Sequence, residues 1–318
     1  MSITHDLSRD RVCGIQTGEG RLAVNIGSLV LANPVMPASG CFGPELAPVV
    51  PLAGLGAVVT KTVFSQTRSG NPANRLTEVP GGMLNSVGIP SVGMAAFRAR
   101  VLPAYQRLGP PVVVSLGGLS ATDFWGATAE IADARPDAFE INLSCPNLEH
   151  GPDVGSTPSE IERITLGVCD RAEGTPVIVK LKPNVGAIET MARAAEAGGA
   201  AAVTVANTYP AMTVNLDERR ASLGNNTGGL SGPAVRPLVM QLVWQTASAV
   251  EIPVIACGGV TEARDAVEYL IAGATAVQVG TATFTRPTTM SDIIAKLPGL
   301  LDDLAVDTVR DLIGSLHF

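Results

Sequence analysis

The sequence predicts an α/β protein of the (β/α)8 TIM barrel class with an N-terminal β-hairpin. Three observations carry that prediction. Short apolar, β-branched runs recur eight times, at 35–38, 57–63, 112–116, 138–143, 176–181, 202–206, 253–256 and 276–279. Ala-rich or amphipathic stretches at 121–134, 158–171, 187–197, 235–250 and 263–272 separate the later runs at the spacing of a strand and its crossover helix. Continuously apolar strands joined through helices want a parallel sheet covered on both faces, and eight of them favour closure. A doubly wound open sheet is the competing topology, but no GxGxxG follows the first strand.

The elements follow in order. Residues 21–34 read as two short strands around an Ile26-Gly27-Ser28 turn, a hairpin expected to plug one end of the barrel. Nearly every later strand ends in polar or glycine chemistry. The first gives Ser39-Gly40 and the second Thr60-Lys61-Thr62. The fourth gives Asn142 through Asn147, the fifth Lys180, and the sixth Ala206-Asn207-Thr208. The seventh gives Gly258-Gly259 and the eighth Gly280-Thr281. Barrel enzymes place their sites on the loops that follow the strands, so these ends predict one shared mouth. The stretch 208–233 is long and irregular, which within a compact domain marks a functional loop. No linker or low-complexity boundary interrupts 1–318, so a single domain is expected.

Composition narrows the partners. Hydrophobic residues make up 46% and mean hydropathy is +0.29, enough for a large core, while charged residues reach only 16%. A net charge of -7 without a Lys/Arg block argues against nucleic acid or an anionic membrane, and leaves room for a small anion held by a local lysine. No apolar run approaches the roughly 20 residues of a membrane span, and the N-terminus lacks a secretory segment, so a cytoplasmic location is expected. Five cysteines, odd in number and scattered, encode neither a disulfide framework nor a CxxC cluster, and three histidines make a metal site unexpected.

The run AFEINLSCPN at 138–147 is the most informative. Phe139, Ile141 and Leu143 alternate as a buried strand that Pro146 ends, which leaves Cys145 between Asn142 and Asn147 at a strand's carboxyl end. Buried groups of this polarity need partners. A small buried cysteine with turn asparagines is the plain alternative; a polar ligand is the functional one. Gly258-Gly259 and Gly280-Thr281 match the phosphate site that barrels build after their last two strands, although turn glycine alone accounts for either pair. Lys61 and Lys180 interrupt apolar strands. Both suit a phosphate-bearing flavin, whose reduced anion needs positive charge nearby, and equally a substrate carboxylate. Asn85, Asn142, Asn147 and Asn207 offer carboxamides with donor and acceptor side by side, which fit a pyrimidine-like ring.

NLSCPN at 142–147, ASGCFG at 38–43, LNSVG at 84–88, VKLKPN at 179–184 and GGLSGPA at 228–234 resemble class 1 dihydroorotate dehydrogenases over about residues 20–315. The wording is closest to the B type, whose catalytic subunit binds FMN and works with a separate subunit carrying FAD and an iron–sulfur cluster. The resemblance implies Cys145 as the catalytic base and FMN as hydride acceptor in the oxidation of dihydroorotate to orotate for pyrimidine synthesis. It also implies FMN contacts from Ser39, Lys61, Thr62, Asn142, Lys180, Ala206, Gly232, Gly258, Gly259, Gly280 and Thr281. Substrate contacts would come from Lys61, Asn85, Ser86, Val87, Gly88, Ile89, Asn142, Asn147, Asn207 and Thr208. It further implies a homodimeric core flanked by electron-transfer subunits that pass electrons to NAD; fumarate, the acceptor of the A type, is the alternative. The segment 150–155, with its hinge-like glycines, resembles a lid over the substrate. Ser115 departs from the family's frequent Asn at the end of the third strand. Two other readings stand beside this one: a related flavin enzyme acting on another dihydropyrimidine, and a flavin-binding subunit without catalysis, against which Cys145 speaks.

Overall fold

The computed structural model describes residues 20–52, 54–143 and 154–317. Its frame is a parallel sheet of eight strands: β1 (Val35–Pro37), β2 (Val58–Val59), β3 (Val112–Leu116), β4 (Ala138–Asn142), β5 (Val177–Lys180), β6 (Ala202–Val205), β7 (Val254–Cys257) and β8 (Ala276–Val279). The spatial order is β1-β8-β7-β6-β5-β4-β3-β2, every neighbour parallel, so each predicted run contains one observed strand. The two remaining edges meet where the Gly56 N–H donates to the Val35 carbonyl at 2.9 Å, which curls the sheet into a barrel. A Cβ at Gly56 would stand 2.2 Å from the Asn33 carbonyl oxygen, so the seam requires glycine.

Strands β3, β5, β6 and β8 are buried along their whole length, as expected of a sheet covered inside by its own side chains and outside by helices. The covering helices are α1 (Ala121–Ala129), α2 (Pro158–Cys169), α3 (Ile188–Ala197), α4 (Arg236–Ala247), α5 (Ala263–Ile271) and α6 (Thr289–Asp303). Local chemistry starts α1 and α2. Ser120 Oγ accepts the Asp123 N–H at 3.2 Å, and Thr157 Oγ1 accepts the Glu160 N–H at 3.3 Å with Pro158 in the first turn, each satisfying an otherwise orphaned helical donor. The N-terminal hairpin pairs Val24–Ile26 with Leu29–Leu31. Its Gly27 lies so near Ala201, just before β6, that a Cβ there would come within 2.9 Å, which seats the hairpin at the amino ends of the strands and leaves the carboxyl ends open.

Two stretches differ from the sequence reading. Residues 208–233 were expected as irregular chain, and 76–85 was assigned no strand. Instead Tyr209–Ala211, Gly228–Ser231, Gly82–Asn85 and Leu76–Val79 form a four-stranded antiparallel sheet in that order, and Val214–Asn215 pairs with Arg220–Ala221 as a ribbon. These strands are short, glycine-rich and half-exposed, so the apolar alternation that betrays a strand is missing. A helical run over 94–106, passing through a π segment at Phe97–Val101, links β2 to β3; the sequence reading did not include it.

Candidate active site

At the carboxyl ends of the strands lies a cavity of about 390 Å³. Of the residues expected there, Ser39, Lys61, Thr62, Asn85, Val87, Gly88, Ile89, Asn142, Lys180, Ala206, Asn207, Thr208, Gly232, Gly258, Gly259, Gly280 and Thr281 all line it. Ser86 does not. It is fully buried and its hydroxyl accepts from the Asn71 carboxamide at 3.0 Å, because its two neighbours alternate toward the cavity while it turns into the protein. Cys145 and Asn147 lie outside the described residues, as does the greater part of the expected lid, residues 150–153. The far end of that segment is anchored: the Gly155 N–H donates to Glu160 on α2 at 2.9 Å, and Lys182 Nζ donates to Ser156 Oγ at 2.9 Å.

One side of the cavity is built from glycine loops that side chains elsewhere hold in place. Tyr269 of α5 donates its hydroxyl to the Gly258 carbonyl at 2.6 Å. Asp265 accepts the Thr261 N–H at 2.8 Å and the Glu262 N–H at 3.1 Å, and pairs with Arg236 at 3.0 Å. Thr281 Oγ1 donates to Ser231 Oγ at 2.8 Å, which joins the loop after β8 to the one before α4. The glycines do more than admit a ligand. A Cβ at Gly258 would meet Val239 at 2.7 Å and one at Gly259 would meet Arg236 at 2.6 Å, so both are also needed for α4 to pack against the loop.

A second group runs along the mouths of β2, β4 and β6. Asn207 Nδ2 donates to Asn142 Oδ1 at 3.4 Å, and Asn142 Nδ2 donates to Thr62 Oγ1 at 3.3 Å. Thr62 Oγ1 also lies 3.4 Å from Ser39 Oγ and 2.8 Å from Ser115 Oγ. Asn85 approaches from the antiparallel sheet, where its Nδ2 donates to the Gly229 carbonyl at 3.2 Å. Ser115 is wholly buried beneath Thr62 and reaches the cavity only through that hydroxyl.

Two cations face the cavity in different settings. Lys61 projects into it within reach of solvent, and the surrounding walls lower its pKa from 10.5 by desolvation, with Cys41 opposing. Lys180 is buried. Desolvation works against its charge, and Cys257 at 3.4 Å together with the Glu140 carboxylate outweighs that and holds its pKa above 10.5. Burial pushes the Cys41 thiol up to about 12 and raises Cys257 as well, so both are neutral thiols at neutral pH. Sequence reasoning passed over Cys41, Met83, Leu230, Ser231, Cys257 and Phe284, which also line the cavity. Cys41 and Cys257 carried a signal, since each stands in a strand-end motif.

Among the described residues no group of three or more His, Cys, Asp or Glu side chains could hold a metal ion, and no described helix is long and apolar enough to cross a membrane. A family model described as dihydroorotate dehydrogenase matches residues 21–301. The chain belongs to the dihydroorotate dehydrogenase family. It is 42% identical over 300 residues to the dihydroorotate dehydrogenase B (NAD(+)) catalytic subunit of Trichlorobacter lovleyi, covering 93% of this chain and 98% of that protein. The protein of the same name from Desulforudis audaxviator is 43% identical over 302 residues, with 93% and 98% covered. The one from Geobacter sulfurreducens is 42% identical over 300 residues, with the same coverage. For a member of the dihydroorotate dehydrogenase family, the cavity at the strand ends is the natural place for chemistry.

Proposed function

We propose that this chain, as one domain over 1–318, oxidises dihydroorotate to orotate with FMN as the hydride acceptor. Electrons then pass through a partner subunit carrying FAD and an iron–sulfur cluster to NAD, in a cytoplasmic assembly built on a homodimeric core. The observation that carries the reading is the convergence on one cavity of a glycine cradle from the β7, β8 and α4 loops with the linked carboxamides Asn207 and Asn142 and the cation Lys61. The relatives' printed name, a catalytic subunit using NAD(+), supports the division of labour.

The donor set fits FMN. The loops at Gly232, Gly258-Gly259 and Gly280-Thr281 offer backbone N–H groups to a phosphate. Lys180, an ammonium at a nearly dry floor, suits a ring that gains negative charge. When bound, FMN supplies a two-electron acceptor for hydride. The chain's own residues do the rest. Lys61 attracts the substrate carboxylate, and Asn85, Asn142, Asn147 and Asn207 read the ring's N–H and C=O edges, with Thr208 beside them. Cys145 removes the proton from one ring carbon while the hydride leaves its neighbour, and no covalent bond to sulfur forms.

The test is an anaerobic titration of the purified chain with dihydroorotate, followed by its visible spectrum. Rapid bleaching of a yellow flavoprotein is the expected result, and Cys145→Ala retains flavin while bleaching far more slowly. Flavin that stays oxidised with dihydroorotate but bleaches with a dihydropyrimidine lacking the carboxylate would overturn the substrate.

A further inference from the structure

Beneath the cavity floor the barrel carries a layer of polar side chains that the reaction above does not use. Glu140, on β4 between the apolar Phe139 and Ile141, is 0% exposed and points among the strands where a carboxylate is costly. Its Oε2 accepts from the Thr204 hydroxyl at 3.0 Å and from Gln278 Nε2 at 2.6 Å, while its Oε1 has no hydrogen-bond partner among the described residues. Gln278 in turn presents its Oε1 to Lys180 Nζ at 2.9 Å. The orientation of that amide is dictated by chemistry: an ammonium only donates and a carboxylate only accepts, so the carbonyl faces Lys180 and the NH2 faces Glu140.

We propose that Glu140, acting through the side-chain amide of Gln278, is a positioning residue that fixes Lys180 as an ammonium at the floor of the cavity. The inference rests on the FMN reading for its consequence, since a charged Lys180 is what a reduced flavin anion would meet, but the relay itself belongs to the chain. A buried lysine has two escapes, to swing toward water or to lose its proton. Gln278 blocks the first by holding Nζ in place, and its carbonyl oxygen together with the Glu140 carboxylate opposes the second. Cys257 at 3.4 Å is the other close partner, and its sulfur, accepting from Nζ, also favours the ammonium. The titratable groups facing Lys180 are thus Glu140 from β4, Cys257 from β7 and Cys41 after β1, with Lys61 beyond Cys41. Burial raises both thiols, so the carboxylate that opposes deprotonation of Lys180 is that of Glu140.

The experiment compares the wild type with Glu140→Gln and, should that variant fold poorly, Gln278→Met, which cuts the relay and leaves the carboxylate. The midpoint potential of the bound flavin is measured against pH. In either variant Lys180 loses its proton in the oxidised state within the accessible range and regains it on reduction, so the potential falls more steeply with pH than in the wild type. A slope identical to wild type throughout would overturn the proposal, because Lys180 would then keep its proton unaided. The steeper slope must also vanish when Lys180→Met is added to Glu140→Gln. Thermal unfolding of the flavin-free chain gives a second readout that survives failure of the FMN reading. With its folded pKa lowered below the unfolded value, Lys180 makes the Glu140→Gln variant gain stability relative to wild type as pH rises from about 8 to about 10. A Tm deficit that stays constant over that window would count against the relay whether or not flavin binds.

Discussion

The hydroxyl oxygens of Thr62 and Ser115 stand 2.8 Å apart, and both residues are buried. Thr62 is at once a cavity wall and the junction of a hydrogen-bonded line to Asn142 and Ser39. Ser115 is its support from below, so the serine that departs from the family's frequent Asn acts on the site at one remove. Ser115→Ala removes a neutral buried partner, worth about 1 kcal/mol, and is expected to lower Tm by roughly 2 °C. Because the cavity wall itself stays in place, flavin affinity should fall less than tenfold. Differential scanning fluorimetry with and without FMN checks both parts.

Lys61 sets a pH dependence whose sign follows from its surroundings. Desolvation lowers its pKa below 10.5, so its positive charge is lost at a pH where a free lysine still keeps it. Affinity for an anionic ligand should therefore decline as pH rises toward 10.5, and the decline should be absent in Lys61→Ala, which binds weakly throughout. Titrating orotate into the protein at stepped pH values, with the flavin spectrum as indicator, measures this. An undiminished affinity at alkaline pH would remove Lys61 from the carboxylate site.

The barrel was legible because its strands share a pattern: each is a mostly apolar run, and nearly every one ends in polar or glycine chemistry. That pattern located Lys180, Asn142, Gly259 and Thr281 from sequence. It failed where two roles share one strand. In AFEIN the sequence reading took Phe139 and Ile141 as the buried residues and passed over Glu140, whereas a closed barrel buries both faces and Glu140 with them. The antiparallel sheet that carries Asn85 was illegible for the opposite reason, since Gly228 and Gly229 supply no side chains to reveal a period. Ser86 was misplaced for want of that strand register.

Cys41 lines the cavity, yet it should be a poor nucleophile. Burial raises its pKa from 9.0 to about 12, so its thiolate at pH 8 is scarcer than an ordinary thiol's by about a thousandfold. Iodoacetamide at that pH is expected to modify Cys41 about three orders of magnitude more slowly than a free thiol, and raising the pH to 10 should accelerate it about a hundredfold. Peptide mass mapping over a time course reads the rate. Fast labelling of Cys41 at neutral pH would contradict the burial described here.

Gly259 joins backbone conformation, helix packing and ligand approach in one residue. Its φ of +72° is the left-handed region, and a Cβ there would stand 2.6 Å from Arg236 Cβ and 2.9 Å from Arg236 Cα. Arg236 is the first residue of α4 and pairs with Asp265, which holds the N–H groups of Thr261 and Glu262, so it has little room to retreat. Gly259→Ala combines left-handed strain with a contact against backbone and should cost about 1–3 kcal/mol. The displaced loop would no longer present its N–H groups to a phosphate, and FMN affinity should fall more than tenfold, whereas riboflavin, which has no phosphate, should lose much less. Equilibrium titration of the apoprotein with each flavin separates the two terms: an equal loss for both would assign the effect to general unfolding, and a loss confined to FMN assigns Gly259 to the phosphate cradle.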